Sequence, residues 1–217
     1  MSEIDRRWIG AHVAGGIIAI LLWLAVQALN QWLANGSAGT LFATTEVYLA
    51  VYIVHAAIGD AFLGWLTGAA LRLIVPALPW WRWIAIYVMV GLVISLGFIF
   101  IADHPGNEHI NWYGLRWGEI VFLLMFVAVA AGLAGAIAGA LGAFVLRSAA
   151  DGTEGWITRS ALASAVNYPV FAAILLMFPP GETVTLEAVW IAAMFAGVVA
   201  GAFVMLPAVR RLRPRTV

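Results

Sequence analysis

The stretch "ADHPGNEHINWYGLRWGE" brings Asp103, His104, Glu108 and His109 together within seven residues, with Arg116 and Glu119 close behind. Imidazole and carboxylate groups in one place suit zinc, copper or iron. A divalent metal on His104, His109, Asp103 and Glu108 is therefore one expectation for this segment. Its spacing argues the other way. His104 and His109 are not at helical spacing, Pro105-Gly106 makes the chain between them a turn, and no H-E-x-x-H framework supports a catalytic ion. Two further readings stand beside the metal. One is a hydrated loop with Trp112 and Trp117 resting at a membrane interface. The other is an outer cap that captures a polar solute through Arg116 and the histidines. Glu46, Glu119 and Glu187 would ring the same mouth, although each could instead stabilise a helix N-terminus by about 0.3–1 kcal/mol.

A second set of polar groups is embedded in apolar sequence, where ionisable side chains mark candidate sites. Trp8, His12, Gly15, Ala19, Trp23, Gln27 and Asn30 recur at steps of three or four and predict one helical stripe that must face protein or water. Tyr48, Tyr52, His55 and Gly59 share a face of the next apolar run. Asp60 lies about 140° round from His55 at 100° per residue. It is twelve residues from Arg72, about 18 Å by helical rise, which makes it the deepest acid in the chain. Ser164 and Asn167 precede Pro169, a residue that removes a backbone donor and loosens the helix near Ala165. Asp60, His55, His12, Tyr52, Asn167 and Ser164 are the expected lining of an interior polar cavity. The plainer alternative is that each satisfies a neighbouring helix. A bis-histidine haem is argued against by depth, because His12 lies about 6 Å above the start of its helix and His55 about 25 Å above Arg72.

The elements that must carry these groups follow from composition. Of 217 residues, 64% are hydrophobic and 10% charged, too little polar material to clothe a water-soluble domain of this size. Six apolar runs, near 8–29, 46–71, 83–102, 119–146, 156–178 and 187–206, are each long enough for a bilayer that needs roughly 20 residues. The expected fold is an all-α integral membrane protein with six transmembrane helices in a single polytopic domain, 1–217. The first run follows Arg6-Arg7 as a signal peptide would, but its length predicts a retained helix. The chain has no cysteine and no lysine, which removes disulfides, thiolate ligands and Schiff-base chemistry.

The runs also repeat. Trp8-Ile9, Trp83-Ile84 and Trp156-Ile157 each open an outgoing helix; Glu46, Glu119 and Glu187 open the returning ones, and Arg72, Arg147 and Arg210 close them. This predicts three antiparallel hairpins, about 8–72, 83–147 and 156–210, with a threefold internal repeat as one explanation. The other is convergence, since tryptophan, glutamate and arginine favour these places in any membrane helix. With alternating helices, ten of the eleven arginines share one side and only Arg116 the other. The expectation is cytoplasmic N- and C-termini in a multi-pass protein of the cytoplasmic (inner) membrane.

The chain carries no phosphate loop, no dinucleotide fingerprint and no nucleophile elbow, and no basic face for nucleic acid. The expected function is membrane transport of a small polar solute or ion, as a channel, a secondary carrier or the solute-binding subunit of an importer, with residues 102–118 as an outer cap. A non-catalytic subunit organising a larger energy-transducing or pigment complex, alongside other membrane subunits or copies of itself, is the second reading. An intramembrane metal enzyme using the outer cluster is the third.

Overall fold

The computed structural model describes residues 1–35, 45–102, 117–177 and 186–215. Among these described residues the apolar runs form six helices: α1 (Glu3–Asn35), α2 (Thr45–Arg72), α3 (Trp80–Ala102), α4 (Trp117–Arg147), α5 (Trp156–Met177) and α6 (Leu186–Val209). Three stretches, Glu3–Val26, Ile53–Arg72 and Ile120–Arg147, are long and apolar enough to cross a membrane. Trp80–Val93 and Phe195–Val209 are shorter apolar stretches of the same kind. Along α4, Phe122, Phe126, Val129, Leu133, Ile137 and Phe144 all point outward and exposed. Water seldom tolerates an apolar stripe of that extent. From Phe122 to Phe144 it runs about 33 Å by helical rise, close to the ~30 Å of a bilayer's hydrocarbon.

Each helix packs on its neighbours in sequence, and α6 returns to α1. The six therefore close into a ring. The fully buried apolar core lies at the end of the ring that carries the chain termini, where Leu71, Val75, Leu146, Val209 and Leu212 are almost without exposure. Within it are three tryptophans, Trp8, Trp83 and Trp156. Trp156 meets Trp8 edge-on with ring centroids 6.3 Å apart and Trp83 at 5.8 Å. Each indole docks on the returning helix that precedes its own around the ring. Trp8 Nε1 donates to the Ala202 carbonyl of α6 at 3.1 Å, and Trp83 Nε1 to the Thr67 hydroxyl of α2 at 3.1 Å. Trp156 Nε1 lies against Gly142 of α4, 3.0 Å from where a Cβ would stand.

Close approach of backbones sets two of the seams. A Cβ on Gly64 would sit 3.0 Å from the Ile84 Cα, and a Cβ on Gly139 would sit 3.0 Å from the Ile157 Cα. Small residues let helices gain dispersion contacts that lipid-facing leucines cannot supply. These two glycines are 75 residues apart and the isoleucines 73, so the same kind of contact recurs at the α2–α3 and α4–α5 seams.

An all-α chain is not quite what forms. Two residues after α4, β1 (Ala150–Asp151) pairs antiparallel with β2 (Arg213–Pro214), which follows α6. The Arg215 amide adds a bond to the Ala149 carbonyl at 3.1 Å. Gly152, at φ +78°, permits the turn, and the Arg211 carbonyl occupies the space a Cβ there would need. The arginine-rich tail is thereby pinned to the protein, with Leu212 inside the core.

The same end holds a buried acid. Ser2 and Asp5 exchange bonds as a capping pair: the Asp5 amide donates to the Ser2 hydroxyl at 3.2 Å, and the Ser2 amide donates to the Asp5 carboxylate at 2.8 Å. Asp5 is 1% exposed and takes a two-pronged grip from Arg210, at 2.8 and 2.7 Å. The carboxylate raises the Arg210 guanidinium above its ordinary pKa, so the cation is never lost. This pair ties the first helix to the end of the last, the seam that no hairpin loop closes, and it places both termini at one end of the ring. Arg210→Gln, which strands the covered carboxylate, is expected to lower the thermal midpoint of the purified protein well below that of Arg213→Gln. Equal midpoints would show that the pair does not hold the seam.

Candidate functional site

Four of the six expected cavity residues are positioned by four different helix seams. His12 is buried, and its Nδ1–H donates to the Trp8 carbonyl one turn earlier at 2.9 Å, because a carbonyl can only accept. Its ring lies on Trp8 with centroids 4.5 Å apart. His12 thus braces the central tryptophan cluster. His55 of α2 donates through Nε2 to the Ala19 carbonyl of α1 at 3.1 Å and meets Trp23 edge-on at 5.4 Å. Gly15, Ala19 and Trp23 of the α1 stripe therefore face α2. A cleft of about 280 Å³ opens beside this contact, lined by Leu22, Val26, Val51, Val54, Ile58 and His55. Among the described side chains, His55 is the one expected cavity residue on its wall.

Ser164 of α5 packs its hydroxyl onto α4 at Gly135, while Asn167 packs its amide oxygen onto α6 at Gly197. The two groups lie about one turn apart on α5 and serve opposite neighbours, so they do not converge. α5 runs unbroken through Pro169. Asp60 belongs to yet another seam. Its carboxylate presses against α3 at Gly91, in the space a Cβ there would fill. It makes no hydrogen bond or ion pair among the described residues. Below it on the same seam, Thr67 donates to the Leu63 carbonyl at 2.8 Å and accepts from Trp83. Tyr87 hydrogen-bonds Thr67 and lies within the field of the Asp60 carboxylate.

His55, Asp60, Ser164 and Asn167 sit on the α1–α2, α2–α3, α4–α5 and α5–α6 seams. His55 meets a backbone carbonyl and the other three meet close-packed glycines; of these Asp60 carries a carboxylate, with no hydrogen bond or ion pair among the described residues. The Tyr52 side chain lies outside the described residues, as do those of Glu46, Glu119 and Glu187; so do Asp103, His104, Glu108, His109 and Arg116. Sequence reasoning passed over Thr67, whose hydroxyl links Trp83 and Tyr87, and the Asp5–Arg210 pair. The Ser2-x-x-Asp5 spacing was a legible helix-start signal; nothing in the sequence pointed to Thr67.

No family model, no curated protein and no solved structure matches this chain. Function has to be argued from the site itself.

Proposed function

We propose that the chain is a six-span protein of the cytoplasmic membrane, with both termini in the cytoplasm, that moves a small polar solute or ion. In this reading Asp60 holds the carried cation or a coupling proton. One observation carries it: a carboxyl without a hydrogen-bond or ion-pair partner among the described residues, set on the bare α3 backbone at Gly91 and about 12 Å above the tryptophan cluster, eight residues along α3 from Trp83. A carboxylate in such surroundings must bind a proton or a cation to remain there. Trp8, Trp83 and Trp156 then form the cytoplasmic closure of the path, and the 102–118 segment its outer cap. The clustering of ten arginines with the termini supports a cytoplasmic face at that end. The cyclic docking of the three indoles supports a threefold arrangement of hairpins.

Proteoliposomes containing a pH-sensitive dye test this reading. With an imposed membrane potential, wild-type vesicles are expected to acidify faster than protein-free ones. Asp60→Asn is expected to fall to the protein-free rate while its thermal midpoint is retained. Proton entry unchanged in Asp60→Asn removes Asp60 from the path.

A non-catalytic subunit of a larger membrane complex is the second reading, favoured by the way His55, Ser164 and Asn167 are consumed by helix seams. It predicts a second membrane protein in stoichiometric amount after mild extraction, retained in Asp60→Asn.

A further inference from the structure

Arg72 closes α2 and Arg82 lies in the first turn of α3, so both stand at the end of the ring that carries the termini. Each guanidinium rests on an indole: Arg72 lies 5.8 Å from the Trp80 ring centroid and Arg82 5.2 Å from that of Trp81. These tryptophans differ from their neighbour Trp83. They are 40% and 62% exposed, against 3% for Trp83 in the core. Leu73, beside Arg72, is exposed as well. The two cations are also unneutralised. Arg7, Arg210 and Arg215 each find a carboxylate, but Arg72 and Arg82 have no ion-pair partner among the described residues. The sequence explains why: no acidic residue occurs between Asp60 and Asp103.

Two free guanidiniums beside an exposed apolar ledge of indole and leucine form an amphiphilic surface. Guanidinium matches phosphate oxygens with paired N–H donors while its flat face stays on an aromatic ring. Tryptophan favours the boundary between headgroup and hydrocarbon. We propose that the α2–α3 turn is a headgroup site for an anionic phospholipid. Arg72 and Arg82 hold the phosphodiester, and Trp80 and Trp81 lie along the glycerol and upper acyl region. An acidic protein segment would neutralise the cations but leave the indoles and Leu73 in water, which favours the lipid. The inference rests on the placement of the chain in a bilayer and is independent of what the protein carries.

The test uses the full chain in nanodiscs of phosphatidylcholine with a minor share of phosphatidylglycerol, and native mass spectrometry of the lipids that remain bound. Wild type is expected to retain phosphatidylglycerol preferentially. R72Q/R82Q is expected to weaken that preference about thirty-fold, since each arginine near a charged surface contributes roughly fivefold. R147Q/R213Q removes the same charge from the same end and is expected to leave the preference standing. W80A/W81A keeps both arginines and is expected to weaken it, which a diffuse charge effect would not do. Equal losses in the two arginine pairs overturn the proposal, as does an unchanged preference in R72Q/R82Q. So does the loss of a co-purifying acidic protein with lipid retention unaltered. If R72Q/R82Q does not fold, R72K/R82K serves in its place: weaker retention supports a paired guanidinium grip, and wild-type retention refutes it.

Discussion

Replacing Trp156 by alanine is expected to destabilise the protein by about 3–5 kcal/mol, the range for removing a large buried aromatic. Trp156 is 3% exposed and is the member of the central cluster that touches both of the others, at 6.3 and 5.8 Å between centroids. Its loss opens a void where three hairpins meet, and neither Trp8 nor Trp83 can fill it: Trp8 is tied through Nε1 to the Ala202 carbonyl and Trp83 to the Thr67 hydroxyl. Trp81→Ala, at a position 62% exposed, is the comparison and should leave the unfolding midpoint nearly unchanged. Thermal unfolding in mild detergent, followed by loss of the monodisperse peak, reads both variants. Similar midpoints for the two would mean that the tryptophan cluster does not hold the hairpins together.

Gly139→Val should be nearly as damaging, by overpacking instead of by a void, with a cost of about 1–3 kcal/mol or more. A Cβ at Gly139 would fall 2.7 Å from the Ser160 Cβ and 3.0 Å from the Ile157 Cα. Neither obstacle is the far end of a flexible side chain, so α4 and α5 must separate along their seam. That separation weakens dispersion contacts over several turns, since the Ser164 contact at Gly135 lies on the same seam. Gly10 provides the contrast. Nothing lies within 4 Å of a Cβ added there, and Gly10→Ala in α1 is expected to gain up to about 1 kcal/mol from helix propensity. Shifts of the same sign in the two variants would show that propensity, not the seam, governs these glycines.

The helices were legible because their causes are local. A run of apolar residues bounded by Trp8 or Glu119 and ended by Arg72 or Arg147 carries its own instructions, whatever it packs against. The spacing of Trp8, Trp83 and Trp156 was legible in the same way, although their meeting point was not. What each embedded polar side chain touches depends on how a helix is rotated about its own axis, and on which neighbour presents a gap. Ser164 and Asn167 are close in sequence, yet they part because Gly135 lies on one flanking helix and Gly197 on the other. Asp60 and Gly91 are 31 residues apart, and no periodicity in either run announces that they meet. The β1–β2 ladder is two residues long, too short for any alternating pattern to reveal.

By itself, then, the sequence determined how apolar this chain is, the helical character of its apolar runs and the placing of arginines at the ends of those runs. All three are sums over composition or short windows, and they survive any arrangement of the helices. Only the tertiary structure decided that the tryptophans converge, that Asp5 is locked by Arg210, and that the Asp60 carboxylate comes to rest against Gly91. Those outcomes depend on shapes meeting across distant parts of the chain, where one missing Cβ determines which side chain a seam can admit.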